Sequence, residues 1–288
     1  MITEVITDTA KNVERNLIGG KAYNLIKLKA GGFNVPHFFV IPTSFFDTFK
    51  IKSIPQNLIN KIIKKRSGTS DINISENYSL YIKKKLFENR IRFNRSLSKS
   101  IKLGLDKIDS KYFAVRSSAD VEDSKESSYA GQFDSYLNVA PNDIVYRIVC
   151  CWASLYNSRA INYFSKMNQD INKASMAVIV QKMIDPDYSG VIFTKYHNNH
   201  SDILIEIVKG YGEKLVLGLE TPNRFLINRS DIDAIKCEGP NLNFNLATLK
   251  MIAKESLKIE EFFGTPQDIE FSLSSNNLFI LQTRPITI

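Results

Sequence analysis

Residues 267–285 read Gln-Asp-Ile-Glu-Phe-Ser-Leu-Ser-Ser-Asn-Asn-Leu-Phe-Ile-Leu-Gln-Thr-Arg-Pro. Two runs rich in β-forming residues flank the polar cluster 274–277, a pattern typical of a β-hairpin. The loop length decides which side chains share a face, because a slip of one residue moves every side chain to the other side of the sheet. A three-residue loop, 275–277, pairs Ser274 with Leu278 and Glu270 with Gln282.

This loop length separates polar from apolar side chains. We expect one face to hold Ile269, Phe271, Leu273, Phe279 and Leu281. The other face then holds Glu270, Ser272, Gln282 and Arg284, with Leu278 and Ile280 beside the turn. A loop of two or four residues would place Gln282 among the apolar side chains, so we favour the odd length.

The polar face brings together a carboxylate, an amide and a guanidinium. Mg²⁺ takes oxygen ligands, usually one or two from the protein and the rest from water and phosphate. Arginine binds phosphate oxygens in a bidentate manner. The alternative is an exposed cross-strand pair between Glu270 and Arg284, worth at most about 1 kcal/mol. The hairpin alone favours that alternative, and the rest of the chain has to decide between them.

Composition limits the class of protein. The chain has 288 residues, of which 43% are hydrophobic, enough for a large core in two lobes. We expect neither a membrane span nor a signal peptide. Cys150, Cys151 and Cys237 fit neither a disulfide framework nor zinc spacing, which favours a cytoplasmic protein.

Positive charge is concentrated in residues 50–107, which we expect to be mostly helical. This segment has fifteen Lys and Arg residues against four Asp and Glu residues, a net +11, whereas the whole chain carries +8. The run Lys83–Lys85 belongs to it. A solvated helix face is the favoured interpretation, and binding of nucleic acid or another polyanion is the alternative.

Two upstream basic residues occupy positions that a bound anion would explain. Lys21 follows Gly19 and Gly20 in the first turn of a helix that ends at Gly31 and Gly32. The free N–H groups and dipole at a helix N-terminus attract anions and disfavour a lysine. Arg116 ends a buried strand, so it needs a partner such as Glu122, Asp123 or a phosphate. Two further residues, Gly131 and Ser135, could approach the same ligand.

A shift in composition near residue 176 predicts two parts. We place an N-terminal lobe at 1–176, including the basic segment 50–107, and a C-terminal lobe at 177–288. The second lobe contains several short strands and the amphipathic helix Leu246–Phe263, which ends at Gly264. The expected fold class is therefore α+β.

Several segments in order resemble one family. They are similar to the nucleotide-binding domain of phosphoenolpyruvate synthase, pyruvate phosphate dikinase and rifampicin phosphotransferase, which has a two-lobed ATP-grasp fold. The segments cover nearly the whole chain and are 19–25 (GGKAYNL), 115–119 (VRSSA), 122–123 (ED), 129–133 (YAGQF), 152–156 (WASLY), 159–160 (RA), 180–183 (VQKM), 189–194 (SGVIFT), 210–213 (GYGE), 221–222 (TP), 268–271 (DIEF) and 281–285 (LQTRP).

The resemblance implies that ATP lies in the cleft between the lobes. Lys21 and Arg116 would hold phosphates, beneath a loop containing Gly131 and Ser135. Gln181 and the backbone near Met183 would meet adenine, and Glu213 the ribose. Mg²⁺ would be carried by Glu270 and Gln282, while Arg284 would stabilise charge on the transferring phosphoryl group. Positioning and charge neutralisation are what phosphoryl transfer requires.

Members of this family pass the phosphoryl group to a histidine on a swivelling domain. His37, His197 and His200 do not lie in that domain's motif. We therefore expect an ATP- and Mg²⁺-dependent phosphotransferase whose acceptor is a separate chain carrying a phosphohistidine domain, or a small molecule. The alternatives are a nucleotide-responsive regulatory module and a stand-alone kinase of the antibiotic-phosphotransferase type.

Overall fold

The computed structural model describes residues 4–53, 72–119, 123–124, 127–128, 133–166, 169–196, 202–216, 218–239 and 244–286. The helices are α1 (Arg15–Ala30), α2 (Thr43–Ser53), α3 (Ile72–Leu105), α4 (Ile144–Ser154), α5 (Ser158–Lys166), α6 (Glu213–Val216) and α7 (Leu246–Phe263), with 3₁₀ turns at Pro141–Asp143 and Ile171–Lys173. The strands are β1 (Ile6–Thr7), β2 (Phe38–Ile41), β3 (Phe113–Ala119), β4 (Asp123–Ser124), β5 (Ser127–Ser128), β6 (Ser135–Val139), β7 (Met176–Lys182), β8 (Tyr188–Tyr196), β9 (Asp202–Lys209), β10 (Asn223–Asn228), β11 (Ile235–Glu238), β12 (Gln267–Ser274) and β13 (Asn277–Pro285).

The chain divides into two compact units. Unit 1 comprises Met1–Tyr23 and His37–Met183, and unit 2 comprises Asn24–Pro36 and Ile184–Ile288. The division therefore differs from the boundary between 176 and 177 expected from the sequence. That boundary would cut β7, which pairs with β2 and β3 along its length. The segment 24–36 joins unit 2 although it precedes most of unit 1 in sequence.

Unit 1 is built on a five-stranded antiparallel sheet with the order β1-β2-β7-β3-β6. One face of this sheet carries the hydrophobic core, to which Phe39, Val115 and Val180 contribute. Helix α4 covers this face, and its Trp152 is fully buried and donates its indole N–H to the carbonyl of Met176 at 3.2 Å. The expected helical character of the basic segment is borne out over α3, while residues 54–71 lie outside the described part of the chain.

Unit 2 is built on a six-stranded antiparallel sheet with the order β11-β10-β9-β8-β12-β13. Its apolar face includes Ile192, Ile205 and Ile269, all fully buried. Helix α7 packs against β8 and β12. The helix starts at an Asn245 cap, whose side chain accepts from the N–H of Thr248, and stops at Gly264. The predicted α+β class is therefore confirmed, and the bounds of α7 agree with the sequence expectation.

Strand β13 lies at the edge of the unit 2 sheet, and two asparagines occupy its outer side. The side chain of Asn34 donates to the carbonyl of Leu278 at 2.8 Å, while its backbone carbonyl accepts from the N–H of Ile280 at 2.9 Å. The side chain of Asn24 donates to the carbonyl of Thr283 at 2.9 Å. Backbone groups that an edge strand would leave unpaired are thus satisfied by residues from the segment 24–36.

A bidentate ion pair joins the turn after β10 to the last part of α7. Arg229 donates to the two carboxylate oxygens of Glu260 at 2.9 and 2.7 Å, and also to the carbonyl of Thr194. Burial alone would raise the pKa of Glu260. Hydrogen bonds from Arg229 and Thr194, together with the charge of Arg229, outweigh it and hold the pKa below its ordinary value.

This pair predicts a pH-dependent contribution to stability. A carboxyl group whose pKa is depressed by folding stabilises the protein above its ordinary pKa, and loses that contribution as pH falls through the depressed value. We expect Glu260→Gln to lower the free energy of unfolding by about 1–2 kcal/mol at pH 7, and by much less near pH 3. Urea unfolding across this range measures the difference. The exposed neighbour Glu261, changed to Gln, is the control, and an equal loss at both pH values would contradict the expectation.

None of the described helices is both long and apolar enough to cross a membrane. The three cysteines are free, with Cys150 and Cys151 buried and Cys237 exposed.

Candidate functional site

Three of the predicted site residues in unit 1 share one face of its sheet. Arg116 on β3 pairs directly with Ser135 on β6. Gln181 on β7 pairs with Ala114, two residues before Arg116 on the same strand. Directly paired residues, and residues two apart along a strand, point to the same side of a sheet. Because Val115 belongs to the core on the opposite side, these three polar side chains lie on the face away from the main core.

A break in α1 brings Lys21 close to β3, the strand that carries Arg116. Gly19 has φ 73° and ψ 167°, so the helical course is interrupted there and starts again at Gly20. The hydroxyl of Ser118 donates to the carbonyl of Ile18 at 2.7 Å and accepts from the N–H of Ala22 at 3.1 Å. Ser118 thus caps the restarted helix from a distant strand, which places Lys21 in its first turn.

The break requires glycine. A Cβ at residue 19 would lie 2.1 Å from the carbonyl oxygen of Ser118. The sequence prediction of a Gly-Gly start for this helix segment therefore agrees with the structure, although α1 itself begins earlier, at Arg15.

Gln181 carries a buried amide nitrogen without a hydrogen-bond partner among the described residues. Its side chain is 1% exposed. A buried donor left unpaired costs about 1–3 kcal/mol, so such a group usually has a ligand or water as partner. Close by, the N–H of Met183 donates to the carbonyl of Tyr112 at 3.1 Å. A ligand contact at Met183 would therefore use its carbonyl oxygen.

In unit 2, Glu270 and Gln282 are directly paired, as predicted, but the turn differs from the prediction. The expected three-residue loop 275–277 is wrong. Ser275 and Asn276 form a two-residue turn with φ 49° and 63°, the type I′ geometry that suits hairpins. A one-residue bulge at Leu281, opposite the step from Glu270 to Phe271, compensates for the shorter turn and restores the predicted pairing of Glu270 with Gln282.

The two-residue turn also changes which apolar residues of β13 face inward. Leu278 and Ile280 pair with Leu273 and Phe271 and are buried, whereas Phe279 and Leu281 are partly exposed. The expected placement of Phe279 and Leu281 on the apolar face is therefore wrong. The shared polar face of Glu270, Gln282 and Arg284 is retained, since Arg284 pairs with Asp268, two residues from Glu270.

Asp268 adds a second carboxylate to this polar face. Arg284 donates from Nε and Nη2 to the same oxygen of Asp268, at 2.8 and 2.5 Å. Burial raises the pKa of Asp268; Arg284 opposes this effect, and the charges of Glu270 and Glu206 add to it. The face therefore concentrates negative charge that a cation would relieve.

The same face continues across the sheet as a single row. Val191 pairs with both Glu270 and Glu206, and Glu206 pairs with Arg224. Nε of Arg224 lies 3.0 Å from Oε1 of Glu206, an ion pair outside hydrogen-bond geometry. The full row runs from β13 to β11 through Gln282, Glu270, Val191, Glu206, Arg224 and Glu238. At strand spacing it is about 24 Å long.

The side-chain oxygens on this face are suitable ligands for a hard divalent cation. Carboxylate and amide oxygens are ligands that Mg²⁺ accepts, and Mg²⁺ typically takes only one or two of them from protein. Among the described residues there is no group of three or more His, Cys, Asp or Glu side chains placed to hold a metal by themselves. Glu270 and Gln282 would thus need water or phosphate to complete the coordination.

Two predicted site residues remain apart from these faces. Glu213 begins the short helix α6 and is exposed in unit 2. Gly131 lies outside the described residues. Three contributors were absent from the predicted set: Asp268, Glu206 and Ser118. Alternation with Glu270 along β12 would have found Asp268, whereas the position of Glu206 depends on strand pairing that the sequence does not reveal.

A family model described as the pyruvate phosphate dikinase AMP/ATP-binding domain matches residues 15–243 and 234–288. The chain belongs to this family. Its matched region contains Lys21, Arg116, Gln181, Glu270, Gln282 and Arg284.

Curated relatives are similar over nearly the whole chain. A probable phosphoenolpyruvate synthase of Methanothermobacter thermautotrophicus is 31% identical, over 94% of this chain and 44% of its own length. One of Archaeoglobus fulgidus is 31% identical, over 98% and 41%. An uncharacterized phosphotransferase of Bacillus subtilis is 31% identical, over 94% and 33%. The chain thus spans less than half the length of each of these relatives.

Among solved structures, the chain is similar to D-alanine–D-alanine ligase from Helicobacter pylori, with a TM-score of 0.34 and 13% sequence identity. This match covers 65% of this chain and 46% of that one.

Proposed function

We propose that the chain binds ATP with Mg²⁺ and donates a phosphoryl group, as the nucleotide-binding part of a phosphotransferase of the phosphoenolpyruvate synthase type. The observation that supports this most directly is the polar face of unit 2, where Glu270, Gln282 and Arg284 lie together with Asp268. Because the chain belongs to a family of AMP/ATP-binding domains, we infer that the ligand at this face is ATP.

The residues of unit 1 suit the anionic and aromatic parts of a nucleotide. Lys21, in the first turn of the restarted helix, and Arg116, beside Ser135, would hold phosphate oxygens. The buried unpaired amide nitrogen of Gln181 would donate to a ring nitrogen of adenine, and the carbonyl of Met183 could accept from its amino group. Glu213 would meet the ribose, and Gly131 would belong to the loop above the phosphates.

The residues of unit 2 suit the end of ATP from which the phosphoryl group is transferred. Glu270 and Gln282 would carry Mg²⁺, which neutralises phosphate charge during transfer. Arg284 would face the charge that develops on the transferring group. Its ion pair with Asp268 holds the guanidinium plane in place before any ligand binds, so little reorganisation is needed.

The acceptor is proposed from the relatives. In them this domain makes up less than half of the chain. We propose that the phosphoryl group passes to a phosphohistidine domain, with a small molecule as the second candidate acceptor. We also propose a cytoplasmic location, in keeping with the three free cysteines.

Titration calorimetry and a transfer assay test this function. The purified chain is expected to bind ATP more tightly with Mg²⁺ than without it. Lys21→Ala should weaken binding by about 10- to 100-fold, because a hydrogen bond to a charged group is lost. Lys99→Ala, at an exposed position of α3, is the control and should bind as the wild type does. Absence of ATP binding at millimolar concentration would refute the proposal.

Labelled ATP then distinguishes the acceptors. The chain is incubated with labelled ATP and Mg²⁺, with and without cell extract. Acid-labile label on a protein supports a phosphohistidine relay, and label on a small molecule supports the kinase alternative. Intact binding with no transfer and no hydrolysis would support the regulatory-module alternative and contradict phosphotransfer.

A further inference from the structure

Asp134 is the residue just before β6, and each of its polar groups takes part in a hydrogen bond. Its N–H donates to the hydroxyl of Ser154 at 3.1 Å. Its carboxylate oxygens accept from the hydroxyl of Tyr136 at 3.1 Å and from the side-chain amide of Asn157 at 3.3 Å. Its carbonyl accepts from the thiol of Cys151 at a sulfur–oxygen distance of 3.6 Å.

The partners of Asp134 are themselves held in the packed part of unit 1. Ser154 is fully buried and donates to the carbonyl of Cys151 at 2.6 Å. The thiol of Cys151 also lies 3.8 Å from the carbonyl of Val115 on β3. Burial, followed by the nearby charge of Asp134, raises the pKa of Tyr136, which keeps its hydroxyl a neutral donor. Asp134 is thus fixed to the end of α4 and, through it, to β3.

Besides the bonds of Asp134, the register of the strand that follows depends on its pairing with β3 and on the buried side chain of Val139. Strand β6 is at the edge of its sheet and makes three direct pairs with β3. Its pairing is interrupted by a shift between Phe113 and Val115, near Asn138, which has φ 54°. A slip of one residue would exchange the two faces of this strand.

The register of β6 decides what lies opposite Arg116. In the observed register the exposed residue Ser135 pairs with Arg116. A slip by one residue in one direction would bring Asp134 opposite Arg116 instead. A carboxylate there would form an ion pair with the guanidinium and compete with an incoming phosphate.

We propose that Asp134 is a positioning residue, which anchors the start of β6 so that Ser135 lies opposite Arg116 and its own carboxylate is kept on the other face. This inference rests on the proposed function for the role of Arg116 as a phosphate ligand. The anchoring itself rests only on the four hydrogen bonds and on the pairing of β6.

Hydrogen exchange without nucleotide tests the anchoring. In Asp134→Ala the amides of β6 should exchange about tenfold faster or more, because the strand opens locally, while those of β7 stay unchanged. Asp134→Asn keeps one acceptor oxygen and should give a smaller increase. Asp143→Ala is the matched control, because that carboxylate is exposed and makes no side-chain cap bond. Unchanged exchange of β6 in Asp134→Ala would overturn the anchoring.

A double-mutant cycle tests whether Asp134 acts through Ser135. Asp134→Ala is expected to weaken MgATP binding by about tenfold in the wild-type background, and by less than about twofold when Ser135 is already alanine. Equal weakening in both backgrounds would overturn the positioning role. Thermal unfolding of each variant sets a temperature at which all are folded.

The two measurements separate this inference from the proposed function. If the wild-type chain binds no ATP, the proposed function fails, whereas exchange in β6 still decides whether Asp134 fixes the strand. If ATP binds and Asp134→Ala leaves both β6 exchange and binding unchanged, the inference fails and the proposed function stands.

Discussion

Glu270→Gln is expected to reduce Mg²⁺-dependent phosphoryl transfer from ATP by about 10²- to 10³-fold, the usual effect of removing one preorganised charge from a reacting centre. The substitution keeps the shape of the side chain and removes its negative charge. Because Glu270 lies beside Gln282 on the polar face of unit 2, the variant would offer two neutral amides where a carboxylate and an amide stood. Neutral ligands hold Mg²⁺ poorly, so bound nucleotide would be less well neutralised.

The unfolding free energy of Glu270→Gln should not fall in the absence of ligand. Glu270 adds to the negative field that raises the pKa of Asp268, and removing its charge relieves that repulsion. Loss of transfer together with unchanged or raised thermal stability would thus indicate a functional rather than structural role. Glu238→Gln, at the far exposed end of the same row, serves as the control. Full activity of Glu270→Gln would show that the metal is carried elsewhere.

Gly19→Ala is expected to lower the free energy of unfolding of the chain by about 3–5 kcal/mol, a large part of a typical total of 5–15 kcal/mol. The backbone of Gly19 lies in a region of φ and ψ open essentially to glycine. Its missing Cβ would also lie 2.1 Å from a backbone oxygen of Ser118, which cannot move without disturbing β3. Relief would require the break in α1 to change, and with it the position of Lys21.

Gly32→Ala separates the two causes. Gly32 has φ 82°, but a Cβ there would meet nothing within 4 Å. It should therefore cost only about 1 kcal/mol, the strain of a left-handed backbone. Chemical denaturation of both variants provides the comparison. Similar losses for Gly19→Ala and Gly32→Ala would mean that the contact with Ser118 is unimportant.

The hairpin shows how far sequence patterns can predict this site. The opposition of Glu270 and Gln282 was predicted correctly, although the predicted turn was one residue too long and the bulge at Leu281 was not anticipated. The two differences compensate beyond the bulge. The alternation of polar and apolar residues cannot reveal the bulge. Ile280 and Gln282 are two residues apart, which normally places two side chains on the same face, yet the bulge at Leu281 puts them on opposite faces.

Other features depended on contacts between distant parts of the chain. The sequence predicted α7 with its correct bounds, because a cap, an amphipathic pattern and a terminal glycine are all local signals. It could not predict that Ser118 caps a helix starting near Gly19, because the two are about a hundred residues apart in sequence. Nor could it predict that Glu206 lies in the same row as Glu270, because that depends on how the strands of the sheet pair. The sequence boundary fell before β7, whereas the structure divides after Met183, because β7 pairs with β2 and β3, which precede it by up to about 140 residues.

The asparagine contacts along β13 bear on how this protein can be cut into pieces. A fragment beginning at Ile184 would contain all six strands of the unit 2 sheet but neither Asn24 nor Asn34. Its last strand would present open hydrogen-bonding groups to solvent, and such an edge invites pairing with another copy. During synthesis the covering segment 24–36 is made before β13 and pairs with it only after β13 has been made. Unit 2 is therefore complete only when the segment 24–36 is present together with the strands from β8 to β13.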